Sequence, residues 1–187
     1  MKLFRYKPDV NRYACAEIVE NHLIGELPSG VVSIVDRFNE GNTLASLWTP
    51  VEIIVDGSIG PLSDFLGLPE DIPVFSRKAW EILSSLIAND VEALPLASSE
   101  GEYFAINCLK IMDCLDQTRS SLTRRPDGRV QKVISYAFKS DCFQGKHIIK
   151  LPESKNLETL VSEEFVKLVH ANSLVGSLFL PLTQVAE

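Results

Sequence analysis

Short apolar runs, set between turn signals, occupy the first third of the chain. Residues 2–6 and 31–36 are expected to be short strands. Residues 51–55 (VEIIV) form a nearly continuous apolar run, which suits a strand covered on both faces. Turn signals separate these runs: Pro28-Ser29-Gly30, Glu40-Gly41-Asn42, Asp56-Gly57 and Gly60-Pro61. Antiparallel strands joined by tight loops are the natural outcome. The pattern changes around Pro69 to Pro73. Ala79, Trp80, Leu83, Leu86 and Ile87 then recur at helical spacing, and Ser76 is placed to cap a helix over 76–88. Strands are expected again at 92–97, 102–112, 130–138 and 146–151, with turns at 98–102 and at Pro126-Asp127-Gly128. A second helix is expected over 163–172. Ser162 would be its cap, Glu163 and Glu164 would sit at the positive end of its dipole, and Val161, Phe165, Leu168, Val169 and Asn172 would line one side. Leu178 to Leu180 read as a closing strand.

Many short strands and two principal helices make an α+β protein with mainly antiparallel, twisted sheets. The length of 187 residues fits one domain with its own core. A weak boundary near 67–73 leaves room for a strand-rich lobe over 1–66 followed by a second over 70–187.

Composition narrows the function. Apolar residues make up 45% of the chain, which excludes a disordered chain. The net charge is −7, which argues against a general nucleic-acid coat protein. Charges at Lys2, Arg5, Lys7, Asp9 and Arg12 break any apolar leader segment, and no run reaches the roughly 18 apolar residues of a membrane span. A soluble cytoplasmic protein is expected. The charge is unevenly spread. Residues 8–76 carry 2 basic and 11 acidic side chains, a net of −9, and residues 119–155 carry 9 basic and 3 acidic, a net of +6. An ordinary solvated surface explains this. An acidic face that steers a basic partner explains it too.

Catalytic signatures are sparse. There is no GxSxG, HExxH, phosphate-binding loop or dinucleotide fingerprint. Cys15, Cys108, Cys114 and Cys142 have neither CxxC nor zinc-site spacing and read as reduced thiols behaving as small hydrophobes. His22, His147 and His170 are far apart and read as surface or satisfied core residues. Asp113 and Asp116 have the spacing of a carboxylate pair on one helical turn, which suits metal binding or acid–base work. No third ligand stands nearby. The plainer reading is that Asp116 caps a turn while Asp113 pairs with a base such as Arg119. Trp80 reads as core, and Trp48, ahead of Thr49-Pro50, as a rim residue able to anchor a partner.

Several strings recur in a familiar order. They are Asp71-Ile72-Pro73, Phe75-Ser76, Ala79-Trp80, Glu92-Ala93-Leu94-Pro95-Leu96, Tyr103-Phe104-Ala105-Ile106-Asn107 and Asp113-Cys114-Leu115-Asp116. Gly145-Lys146-His147-Ile148 with Leu151-Pro152, Val161-Ser162-Glu163-Glu164-Phe165 and Gly176-Ser177-Leu178-Phe179 follow. In this order they resemble the eleventh immunity-protein family of bacterial polymorphic toxin systems, formerly a domain of unknown function, over roughly residues 70–180. The resemblance implies a small cytoplasmic protein that binds and neutralises a toxin, usually encoded by a neighbouring gene. It does not imply catalysis and gives no catalytic residues to carry over. No cofactor or metal is expected, and the acidic balance and lack of an apolar span leave no nucleic-acid or membrane partner expected either. Trp80, Pro95, Asn107, Asp113 and Asp116 are then motif residues that maintain the fold. The charge pattern, with no help from the family, nominates Asp56, Asp64, Glu70 and Asp71 as rim charges and Trp48 as an anchor. Two other classes stay open: an adaptor or chaperone for a secreted effector, and a small enzyme using Asp113 and Asp116.

Overall fold

The computed structural model describes residues 2–19, 26–27, 30–31, 37–68, 71–140, 142–143, 145–155 and 158–182. The strands are β1 (Leu3–Pro8), β2 (Cys15–Ile18), β3 (Glu26–Leu27), β4 (Gly30–Val31), β5 (Val51–Asp56), β6 (Phe65–Leu68) and β7 (Ile72–Ser76). They continue with β8 (Val91–Ala97), β9 (Tyr103–Cys108), β10 (Ser121–Arg124), β11 (Val130–Ser135), β12 (Ile148–Ile149), β13 (Thr159–Ser162) and β14 (Ser177–Pro181). The helices are α1 (Arg77–Ile87) and α2 (Glu163–Ala171), and Ala45–Leu47 form a 3-10 turn. The α+β architecture dominated by antiparallel strands is as the sequence pattern indicated.

Two sheets organise the chain. A six-stranded sheet runs β2-β5-β8-β9-β7-β6, and its outer strands come back into contact, so it is nearly closed. A four-stranded sheet runs β12-β13-β1-β14. Among the described residues every strand pairing is antiparallel except the short β5–β8 contact, Val51 against Leu96 and Glu52 against Ala97; the isolated Ile111–Lys150 bridge outside the strands is parallel as well. Strands from both sides of residues 67–73 share each sheet.

Alternation decides what each strand buries. Along β7, Ile72 and Val74 point into the nearly closed sheet with Leu66, Leu94 and Ala105. Phe75 points the other way, into a second core with Tyr6, Phe65, Leu83, Phe165 and Val169. There Phe65 and Phe75 meet edge to face at 5.1 Å, a favoured aromatic geometry. Both helices pack on this second core, and each begins as the sequence foretold. The Ser76 hydroxyl accepts from the Ala79 amide, and the Ser162 hydroxyl accepts from the Phe165 amide. A third core joins Leu3, Val133, Tyr136, Phe143 and Leu160 beneath the β10–β11 hairpin.

Several expectations need correction. β5 is not covered on both faces: Val51, Ile53 and Val55 are buried while Glu52 and Ile54 are exposed. The strand covered on both faces is β7, because the helices roof its outer side and leave β5 bare. The strand expected over 102–112 stops at Cys108, and Ile111 instead bridges to Lys150. The strand expected over 130–138 ends at Ser135, with Phe138 bridging to Leu115. In α2 the buried side is Phe165, Val166 and Val169, whereas Asn172 is an exposed C-cap. Residues 32–36 of the strand expected over 31–36 lie outside the described residues.

The cysteines differ as well. Cys114 and Cys142 are joined in a disulfide, with Cα atoms 5.6 Å apart, so the reduced-thiol expectation survives only for Cys15 and Cys108. Spacing along the chain could not show this pair, because the 28-residue separation is closed by the third core. Cys108 is buried, and burial pushes its thiol up to about 11, which leaves it protonated and inert at neutral pH. Thiol titration of the oxidised native protein should therefore count at most Cys15, with Cys108 appearing only on unfolding. Reduction should lower stability in urea by about 3.5 kcal/mol, the loop-entropy value for a link of this span.

Candidate partner-binding surface

Three loops meet at one end of the molecule. Residues 9–13 follow β1, 57–63 follow β5, and 173–176 precede β14. The Ala14 amide donates to the Pro61 carbonyl at 3.0 Å. The Asp9 amide donates to the Gly176 carbonyl at 2.9 Å, and the Asp64 amide to the Val175 carbonyl at 3.0 Å. Glycines permit these approaches. A Cβ on Gly60 would overlap the Arg12 carbonyl, and one on Gly176, which has φ +95°, would overlap the Ser63 side chain.

The loops carry exposed apolar side chains on this tied base. Val10 is 43% exposed, Ile59 52%, Leu62 45% and Val175 42%. Exposed Ile54 and the carboxylate of Asp56 stand at the adjoining end of β5. Clustered large apolar side chains with charges beside them are the composition of a docking surface, whereas scattered single ones carry no such meaning. Sequence reasoning missed this patch because its members come from three distant segments and none belongs to a periodic pattern.

The nominated charges occupy different settings. Asp56 accepts from the Ser58 amide at 2.8 Å and the Ser58 hydroxyl at 2.9 Å. The amide bond, then the hydroxyl bond, hold its carboxyl below the usual range. Its charge remains at the surface. Asp64 is turned inward. It accepts from the Ser76 hydroxyl and from the Val175 amide, both at 2.9 Å, and Lys78 lies 3.7 Å away. One carboxylate thus ties the start of α1 to the loop before β14. Asp71, at φ +56°, faces the buried ammonium of Lys150 at 3.8 Å and accepts from the Thr159 hydroxyl at 3.0 Å. Burial raises its pKa, opposed by Lys150 and Thr159. Glu70 lies outside the described residues. Trp48 is half-buried: its ring packs edge to face on Phe38 at 5.5 Å, and its Nε1 donates to the Pro95 carbonyl at 2.8 Å.

The motif residues are mostly engaged within the fold. Trp80 lies against Phe104, with ring centroids 6.5 Å apart. Pro95 is exposed on β8 opposite Phe104. Asn107 is fully buried, and its Nδ2 donates to the Asn42 carbonyl at 2.8 Å and to Glu92 at 2.9 Å. Glu92 also accepts from the Leu44 amide at 2.7 Å, so this pair fastens the 42–45 segment to β8 and β9.

The Asp113 and Asp116 carboxylates do not converge. Asp113 pairs with Lys139 at 2.8 Å, and Arg119 is not its partner. Asp116 caps its turn, as the plainer reading had it. It accepts from the Thr118 hydroxyl at 2.7 Å and from the Thr118 and Arg119 amides. The Thr118 hydroxyl is the largest cause of its lowered pKa. No group of three or more His, Cys, Asp and Glu placed to hold a metal occurs among the described residues. His147 Nδ1 lies 2.9 Å from the Ser162 hydroxyl, at the cap of α2.

A family model described as Immunity protein family (Imm11) matches residues 93–184. The resemblance drawn from the motifs is thereby borne out over this segment, which runs from β8 to the end of β14. The strings at 71–80 and Glu92 fall outside the matched residues. No curated protein matches the chain. No helix among the described residues is long and apolar enough to cross a membrane.

The two carboxylates that differ most in setting give a direct test. Asp64→Ala should destabilise the fold by about 3 kcal/mol in urea, since it strands the Val175 amide and the Ser76 hydroxyl. Asp56→Ala should stay within about 0.5 kcal/mol of the parent, as expected at an exposed site.

Proposed function

We propose that this protein is a cytoplasmic immunity protein that binds a cognate toxin, encoded by a neighbouring gene, and neutralises it by occluding its working surface. The match of residues 93–184 to an immunity family carries the reading. The three-loop face supports it, because a stoichiometric inhibitor needs a preformed apolar patch framed by charge and needs no reacting group. The toxin would dock over Ile59, Leu62, Val10 and Val175, with Asp56 at the rim steering a basic partner. The chain would act as a single body, since the loops of this face are tied to both sheets.

Asp56 serves this role better than the other nominated acids. Its carboxylate is held charged by Ser58 and stands free of any ion pair among the described residues. Asp64 and Asp71 are committed to internal partners and contribute to the field only from behind the surface. Trp48 would act through the segment it fastens to β8.

The experiment is co-purification of the tagged chain from its native host, followed by assay of the captured partner alone and in complex. The expected outcome is a near-stoichiometric toxin whose activity is silent in the complex, and growth arrest when the gene is removed. A partner that stays fully active while bound would overturn the inhibitor reading in favour of an adaptor. Ile59→Asp and Leu62→Asp should each weaken the complex by about 2 kcal/mol or more with an unchanged melting temperature. Asp56→Arg should lower the association rate at low salt and leave the dissociation rate nearly untouched.

A further inference from the structure

A second surface feature lies on the basic side of the molecule, apart from the three-loop face. A cavity of about 490 Å³ opens between β1, the β10–β11 hairpin and the side chains of Ser154 and Glu158. Arg5 and Lys7 enter it from β1, Thr123 from β10, Lys132 from β11, and Ser154 and Glu158 from the connecting segment. This volume is in the ordinary range for small-molecule sites.

The back wall is a fixed polar cluster. Glu158 is buried, lies 2.6 Å from Arg5 Nε, and accepts from the Tyr136 hydroxyl at 2.8 Å. Arg5 Nη2 donates to the same hydroxyl at 2.8 Å. Glu158 thus balances the charge of Arg5 and sets its plane, while the Nη1 end of the fork makes no hydrogen bond among the described residues. A guanidinium held this way is organised before a ligand arrives.

Lys7 and Lys132 are less tightly balanced, although the Asp71 carboxylate feels the charge of Lys7. Neither forms an ion pair among the described residues, although most other basic side chains of this half do, including Lys139, Lys146 and Lys155. Three cations, Arg5, Lys7 and Lys132, line the cavity against the one carboxylate of Glu158, an excess of about two positive charges that suits the −1.5 to −2 charge of a phosphate monoester at neutral pH. Ser154 is the second, independent sign. It is 4% exposed, lines the cavity, and its hydroxyl has no hydrogen-bond partner among the described residues. Buried hydroxyls are nearly always satisfied, so an unsatisfied one at the wall of a cationic cavity is a donor left for a ligand oxygen.

We propose that this cavity binds a phosphate-bearing small molecule, with Lys7 and Lys132 as its counter-charges, the free edge of Arg5 as an oriented donor pair, and Ser154 as a hydroxyl donor. The basic hairpin around it, with Arg124, Arg125 and Arg129, attracts the anion from solution. This site is independent of toxin binding and stands or falls by itself.

The test is calorimetric titration of the full chain at low salt with orthophosphate, pyrophosphate and ADP. Saturable binding that weakens with added salt is expected. Lys7→Gln with Lys132→Gln should weaken it at least tenfold, about the loss of one charge-assisted hydrogen bond. The charge-matched control, Lys78→Gln with Lys167→Gln, should leave it unchanged, because both side chains lie on helices and are exposed. Ser154→Ala should weaken binding severalfold without lowering the melting temperature, since no partner among the described residues is lost. Equal affinity for orthophosphate and ADP would assign the site to the phosphate group itself, and tighter ADP binding to a nucleotide-sized ester. Absence of saturable binding by all three probes would overturn the proposal. So would equal losses in the cavity and control variants.

Discussion

The N-terminal strand is held between two strands that the chain makes last. Phe4 lies opposite Val161 on one side and Pro181 on the other, and Tyr6 opposite Thr159 and Phe179. The four-stranded sheet cannot exist until the chain has returned from residue 8 to residue 159, and the loop-closure entropy of that return is repaid only by long-range contacts. The second core rests on the same event. Tyr6 brings its ring within 5.9 Å of Phe65 and 6.2 Å of Phe75, so β1 binds the six-stranded sheet to the helices as well as to its own neighbours. The loop after β1 then meets the loop before β14, and the three-loop face follows from that register.

Charge inside the molecule serves assembly. Lys150 is buried, and its ammonium donates to the Asp71 and Lys155 carbonyls at 2.9 and 2.8 Å beside the Asp71 carboxylate. Asp90 is buried with Lys146 at 2.8 Å. Glu158, Asp64 and Glu92 each join segments far apart in sequence. A buried charge without a partner is costly, so such pairs are weak contributors to net stability and strong selectors of a single arrangement of the chain. The acidic 8–76 window and the basic 119–155 window are therefore partly joined inside the fold, with Asp71 meeting Lys150, and only partly a surface field.

The two candidate surfaces lie on different parts of this frame. The three-loop face takes most of its apolar side chains from residues 10–62, outside the segment that matches the immunity family, with Val175 inside it. The phosphate cavity takes most of its wall from inside that segment and its two β1 cations from outside. The N-terminal residues complete both surfaces, although the family match begins at residue 93.

Local chemistry was legible in the sequence wherever it acts over a few residues. Ser76 and Ser162 start the helices, the apolar spacing in α1 marks its buried side, Asp116 caps its turn, and the ordered strings from Tyr103 to Phe179 carry the family resemblance. These depend on backbone hydrogen bonding and periodicity within one or two turns, which a sequence states directly. What depended on partners across the fold was decided by the tertiary structure. β7 became the doubly covered strand in place of β5 because α1 and α2 roof it. Cys114 met Cys142 because the third core closes their loop. Asp64 and Asp71 turned inward because Ser76, Val175 and Lys150 stand opposite them. A charge or an apolar residue has the same letter on a rim as in a lock, and only the position of its partner separates the two.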